Sequence, residues 1–352
     1  MLAEIMGKYF NNNMHCIYLD QFAVSNICDE IHDSKWKGIS ELIRRGVELK
    51  RIICPTSIEH LVETSGKKLE SASKHDKEFQ KLSFGWSFYP EPEITAYHII
   101  CRLRKIKKTK HHYVRKAKGK SLSEKNVHSS FRELKDVFGE MINDVTIPLN
   151  TIRKASRGGP KGDKASRDAL VKIIKKKQSD HLIERMTSLS QLGKYEPKPV
   201  LLAGYSIPFW ADTLCAVLTR KHKLTKSETL QLKRILEAEG IDSIPSISIR
   251  ASLEAMLAHK QANESPNDHL DIMRIAGALP FADIMLVDGP KASDIRELGL
   301  DKKFGTAIYS GKIKDLDKLK NHLSRINSGQ PINSGDGKGR GGADAVSSLA
   351  RA

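Results

Sequence analysis

Cysteine is scarce in this chain and has no pattern. Of 352 residues only Cys16, Cys28, Cys54, Cys101 and Cys215 are cysteine, an odd number, far apart and without a C-x-x-C pair. That excludes a disulfide framework and a thiolate zinc site, and it fits a reducing cytoplasm. Long apolar runs are also missing: no stretch approaches the roughly 18 residues that a membrane span requires. Residues 1–8 lack a basic segment leading into an apolar core, so no secretory signal is expected. No internal repeat is visible. Acidic residues are absent from the whole of 102–120.

Positive charge is what the chain has in excess. Lys and Arg number 59 against 42 Asp and Glu, a net charge of +17. Such a surplus predicts attraction to a polyanion, of which nucleic acid is the commonest; the plainer alternative is a generally basic, soluble surface. With 39% hydrophobic and 29% charged residues the composition is that of a globular protein. The length suits one large domain or two ordinary ones.

Along the chain, 15–66 reads strand, helix, strand, helix. The strands are the apolar runs 15–19 and 51–54; a helical pattern over 36–45 is stopped by Gly46, a natural residue past a helix end. Thr56 or Ser57 can cap the helix that follows. Residues 67–244 are Lys-rich at helical spacing and read as a mainly helical basic insertion. Within it lie a flexible loop at 157–163, a buried helix over 201–220 and an amphipathic helix over 223–238. Residues 245–326 return to α/β character, with strands at 283–288 and 306–309. Thus 1–66 and 245–326 would form one discontinuous domain around 67–244, and the Gly- and Ser-rich 327–352 would be a disordered tail.

Acidic residues punctuate the two α/β blocks. Asp20 follows the run 16–19, and Glu63 lies past the second strand with Glu59 four residues before it. Asp268 and Asp271 open a helix, and Asp288 closes the run 284–287. In a parallel sheet the C-terminal strand ends share one edge, where ligands bind. Each acid has a local alternative. Asp20 can cap a helix, and Glu59 and Glu63 can form one solvated helix face. Asp268 and Asp271 can favour a helix dipole, and Asp283, at the far end of its strand, can cap or pair locally. Together they predict an oxygen cage for Mg²⁺ or Mn²⁺ rather than Zn²⁺, able to activate a water for phosphodiester hydrolysis.

The set Tyr18-Leu19-Asp20-Gln21, Ser57…His60-Leu61-Val62-Glu63, Asp268…Asp271-Ile272 and Leu279-Pro280-Phe281-Ala282-Asp283…Asp288 resembles a PIN-domain-like nuclease over little more than a third of the chain. The resemblance implies a three-layer α/β/α fold with a parallel sheet, carrying here a large helical insertion. It also implies Mg²⁺- or Mn²⁺-dependent cleavage of RNA ahead of DNA. The implied ligands are Asp20, Glu63 (or Glu59), Asp268 or Asp271, and Asp288, and a toxin or defence role is a family-level inclination. The insertion exceeds that of compact members, and Val287 stands where the family often has Thr or Ser.

An acidic cage repels phosphate, so basic residues elsewhere would have to dock the substrate. Arg102, Arg104, Lys105, Lys107, Lys108, Lys110, Arg115 and Lys116 are the candidates, with His111, His112 and Tyr113 as stacking surfaces for bases. Lys172 and 175–177 form a second cluster; a solvated helix face is the plainer reading of either. Trp36, Trp86 and Trp210 are expected in the core. An inactive RNA-binding scaffold is the alternative function. No membrane partner is expected, and an oligomer or inhibitory partner is left open.

Overall fold

Short apolar runs of β-branched residues become strands, and the longer amphipathic stretches between them become helices. The structure is a computed structural model that describes residues 14–28, 34–109, 112–117, 121–156, 163–192, 199–202, 205–208, 210–260 and 263–330. The chain runs β1 (His15–Leu19), α1 (Gln21–Cys28), α2 (Ser34–Glu48), β2 (Ile52–Ile53), α3 (Ile58–Thr64), α4 (Leu69–Ser83), β3 (Trp86–Phe88), α5 (Glu91–Leu103), β4 (Val114–Lys116), α6 (Lys125–Ser156) and α7 (Lys164–Leu192). It continues through β5 (Pro199–Leu202), β6 (Tyr205–Pro208), α8 (Trp210–Ala216), a π-helical turn (Val217–Lys221), α9 (Lys226–Glu239), a 3-10 turn (Gly240–Ser243), α10 (Pro245–His259) and α11 (Pro266–Ala278). The last elements are β7 (Ile284–Leu286), α12 (Gly289–Glu297), α13 (Leu300–Phe304), β8 (Ala307–Tyr309) and α14 (Ile313–Ser328).

Contacts divide the chain into two compact units, one of residues 1–88, 113–135 and 278–352, the other of 89–112 and 136–277. These boundaries differ from those expected at 66 and 245. Residues 67–88 and 113–135 join the first unit, while 245–277, with Asp268 and Asp271, belong to the second.

The first unit is built on a parallel four-stranded sheet of order β2-β1-β7-β8. Thr56, just past β2, makes a parallel bridge to Ser87 of β3: its N–H donates to Trp86 O at 3.0 Å, and Phe88 N–H donates to Thr56 O at 2.7 Å. Antiparallel β4 pairs with β3. One face of the sheet (Ile17, Leu19, Ile52, Ile284, Leu286) packs on α1, α2 and α14 through Val24, Ile27, Ile39, Ile43, Leu319 and Leu323. Alternate residues Tyr18, Ile53 and Met285 are buried too, which is why these strands read as continuous apolar runs rather than as alternating ones.

Three local expectations change. Gly46 does not end its helix: α2 runs on to Glu48, and a Cβ at Gly46 would meet Ile52 Cδ1 at 2.3 Å. The glycine is there for close approach, and Lys50, at φ 54°, makes the left-handed exit. The helix expected over 201–220 begins only at Trp210; residues 199–202 and 205–208 form the antiparallel pair β5–β6, as Pro208 would break a helix interior. Of the expected tail, 327–330 are described, with Ser328 ending α14 and Gly329 capping it; 331–352 lie outside the described residues, as do 157–162 of the expected loop.

The second unit is mainly helical. Its core joins Ile99 and Leu103 of α5, Leu182 and Met186 of α7, Leu214 of α8, Leu232 and Leu236 of α9, and Ile247 and Ala251 of α10. Among the described residues no helix is long and apolar enough to cross a membrane.

Candidate functional site

The chain goes from β1 outward to β2, then places β7 on the opposite side of β1 and β8 beyond it. The strand order therefore reverses between β1 and β7, the point at which the loops of an open α/β sheet part to leave a crevice. Both strands end beside it in acids. Leu19 pairs with Leu286, and Asp20 N–H donates to Leu286 O at 2.9 Å, so Asp20 and Asp288 leave neighbouring strands at the same edge. Asp20 is 7% exposed; its Oδ1 accepts from Gln21 N–H at 2.8 Å, and its carbonyl starts α1. Asp288 is the N-cap of α12, its Oδ1 accepting from Lys291 N–H at 2.7 Å. Both acids thus hold a helix start and both stand at the switch point.

The sequence reading gave His60 no role, yet it ties α3 to this edge. Its Nε2 lies 2.8 Å from Leu19 O, and since a carbonyl only accepts, that nitrogen carries the proton. Nδ1 then accepts from Ser57 N–H at 3.1 Å and from Ser57 Oγ at 3.0 Å, inside the capping box that begins α3. His60 is 1% exposed and packs on Phe79 and Tyr18. A second tie runs from Thr64 Oγ1 to Gln21 Oε1 at 3.3 Å. Glu59 on this helix is buried and Glu63 half-buried.

Asp268 and Asp271 lie in the second unit, in their local roles. Asp268 Oδ2 accepts from Ser265 N–H at 3.0 Å and Ser265 Oγ at 2.7 Å, and Ser265 Oγ accepts from Asp268 N–H at 3.3 Å, a reciprocal cap on α11. Asp271 pairs with the buried Arg274. Asp283 sits at the opposite sheet edge and accepts from Cys16 N–H at 2.8 Å. One carboxylate that sequence reasoning passed over, Asp315, stands past the end of β8. Its Oδ2 accepts from Ser310 N–H at 2.9 Å, Ser310 Oγ at 2.7 Å and Arg296 Nη2 at 2.9 Å. Burial opposes its ionisation, but the Ser310 and Arg296 bonds outweigh it and hold the carboxyl below its ordinary value. Among the described residues no three His, Cys, Asp or Glu side chains form a ready metal cluster.

The basic run divides. Arg102 is clasped by Glu239 at 2.5 and 2.6 Å, and Arg104 by Glu228 at 2.7 and 3.3 Å. Hydrogen bonding to Arg104 is the main cause that lowers the Glu228 carboxyl to about 2. Lys105, Lys107 and Lys108 are exposed. Arg115 and Lys116 lie on β4 in the first unit, Lys116 bonded to Phe84 O at 2.6 Å and set over the Trp86 ring. Lys110 and His111 are outside the described residues. His112 and Tyr113 are both 7% exposed, and Tyr113 is stacked on Phe281 at 4.8 Å. They are packed side chains, not surfaces for bases. In the second cluster, Lys175 pairs with Asp242 and Lys176 with Asp180, each at 2.7 Å. Trp36 and Trp86 are buried, and Trp210 is half-buried beneath Arg250.

The fold and edge together define an α/β protein with paired acids at its switch point. No protein-family model, curated protein or solved structure matches the chain.

Proposed function

We propose that the protein is a PIN-like, metal-dependent phosphodiester hydrolase acting on RNA. The observation that carries the reading is the emergence of Asp20 and Asp288 from adjacent parallel strands at the switch point of a strongly basic chain. The donor chemistry suits Mg²⁺ or Mn²⁺: both are hard carboxylates, and in each Oδ1 is engaged by one backbone N–H. Asp20 and Asp288 are the ligands, and Glu59 or Glu63 on the tethered α3 completes the set. A divalent ion held there supplies positive charge against the phosphate and an activated water. The protein's own part is orientation. The Gln21 and Lys291 amides fix the two carboxylates, and His60 fixes the helix that bears the third.

The scaffold reading has its own support, since both acids serve as helix caps and no three-ligand cluster stands ready among the described residues. One experiment separates the two. Purified wild type, Asp20→Asn and Asp288→Asn are incubated with labelled single-stranded RNA or DNA in Mg²⁺, Mn²⁺ or EDTA. The hydrolase reading expects cleavage of RNA by wild type alone, abolished by EDTA. Binding without cleavage, or equal cleavage by the variants, would establish the scaffold or another site.

A further inference from the structure

The cations of the second unit are not equivalent. Arg102 and Arg104 are neutralised by Glu239 and Glu228, and Lys221 by Glu93, with its ammonium also over the Tyr89 and Tyr97 rings at 4.8 and 5.0 Å. On the two segments that flank these pairs five remain: Lys105, Lys107 and Lys108 after α5, and Arg220 and Lys223 around the end of the π-helical turn. All five residues are exposed, although burial holds the Lys108 ammonium below its ordinary value, and among the described residues none has a carboxylate partner.

The two segments are fastened to each other. Arg104 Nη2 donates to His222 O at 3.0 Å, and the Tyr97 ring meets His112 at 5.3 Å and His222 at 4.8 Å. Tyr97, enclosed by Tyr89, His112, His222 and Lys221, is a brace and not a stacking platform. Burial first, then Lys221 and Arg104, keep the His222 imidazole below its ordinary value, with Glu93 opposing.

The backbone adds a second observation. Lys105 and Lys223 occupy the left-handed region at φ 55° and 52°, which disfavours a side chain relative to glycine. Lysine at a helix end gains a little from the helix dipole, which would account for one or two cations but not for five on adjoining segments. Ile106, 47% exposed among the lysines, adds apolar surface for a sugar or a base edge.

We propose that residues 104–109 and 220–223 form the surface on which the phosphodiester backbone of nucleic acid docks. It rests on the hydrolase reading only for the identity of the substrate, and it narrows the run at 102–120 to the cations left unpaired. Each cation would neutralise one phosphate and release its condensed counterion.

The test is a salt series of fluorescence anisotropy with a short labelled oligouridylate, in EDTA so that cleavage plays no part. Wild type is compared with Lys105→Gln/Lys107→Gln/Lys108→Gln. A control, Lys314→Gln/Lys318→Gln/Lys320→Gln, removes the same charge from exposed positions of α14. The first triple is expected to bind at least tenfold more weakly at low salt and to flatten the slope of log K against log salt by about 2, roughly 0.7 per lysine. The control is expected to stay near wild type. Equal losses in both triples would overturn the proposal in favour of general charge, and no loss in the first would remove the surface outright. Tighter binding of polyglutamate than of oligouridylate would overturn it in favour of an acidic protein partner. Failure to cleave in Mg²⁺ would sink the hydrolase reading and leave this result standing.

Discussion

His98 shows how far a single side chain can depart from what its sequence position suggests. It sits on α5, 3% exposed; burial first, then the nearby charges of Lys108 and His112, lower its imidazole from 6.5 to about 3. The folded state therefore holds it neutral where the unfolded chain protonates it. Its contribution to stability is complete above pH 6.5 and is lost progressively as pH falls towards 3. Over pH 4–6 this group should lower the unfolding free energy by about 1.4 kcal/mol per pH unit. Denaturant titrations of wild type and His98→Gln check it: the variant should lose about one proton's worth of slope, and an unchanged slope would mean that His98 does not report the transition. At this scale the sequence reveals only some of the site. Asp20 and Asp288 are legible because acid and strand are contiguous. His60 is not, because its partner Leu19 lies 41 residues away, and Asp315 is not, because its meaning depends on Arg296 and the end of β8.

Helices and strands were legible wherever burial repeated with a regular period, and illegible where close approach or pairing decided. Gly46 reads as a helix stop and proves to be a contact with β2; the strand pair β5–β6 hides in an apolar stretch that also suits a helix. The two acids at the start of α11 belong to the same lesson, since the dipole reading and the ligand reading predict the same residues. Their hydrogen bonds favour the cap for Asp268. Asp268→Ala should lower stability by about 1 kcal/mol, as loss of a capping box does, to the same extent with and without Mg²⁺. Its cleavage of RNA at saturation should match wild type wherever the variant is folded. A metal-dependent stability loss together with lost cleavage would return Asp268 to the ligand set.

For the whole molecule the two proposed roles fall on different parts of the chain. The acids proposed as metal ligands belong to the first unit, and the lysines of 104–109 without a carboxylate partner among the described residues belong to the second, in a chain of net charge +17. Contacts between exposed cations and phosphate weaken as salt rises, because counterion release drives them. Carboxylates 7% exposed and half-buried, as at Asp20 and Asp288, are screened far less. Salt should therefore act on encounter and leave the chemical step nearly untouched. With roughly five phosphates neutralised on single-stranded RNA, raising monovalent salt from about 50 to about 200 mM should lower kcat/KM about 100-fold while kcat changes less than about twofold. Steady-state cleavage of oligouridylate across a salt series checks this. If kcat falls in step with kcat/KM, the bound ion and not the docking surface is what salt displaces, and the two roles are not separate. If neither moves, the excess positive charge of the chain has no part in holding its substrate.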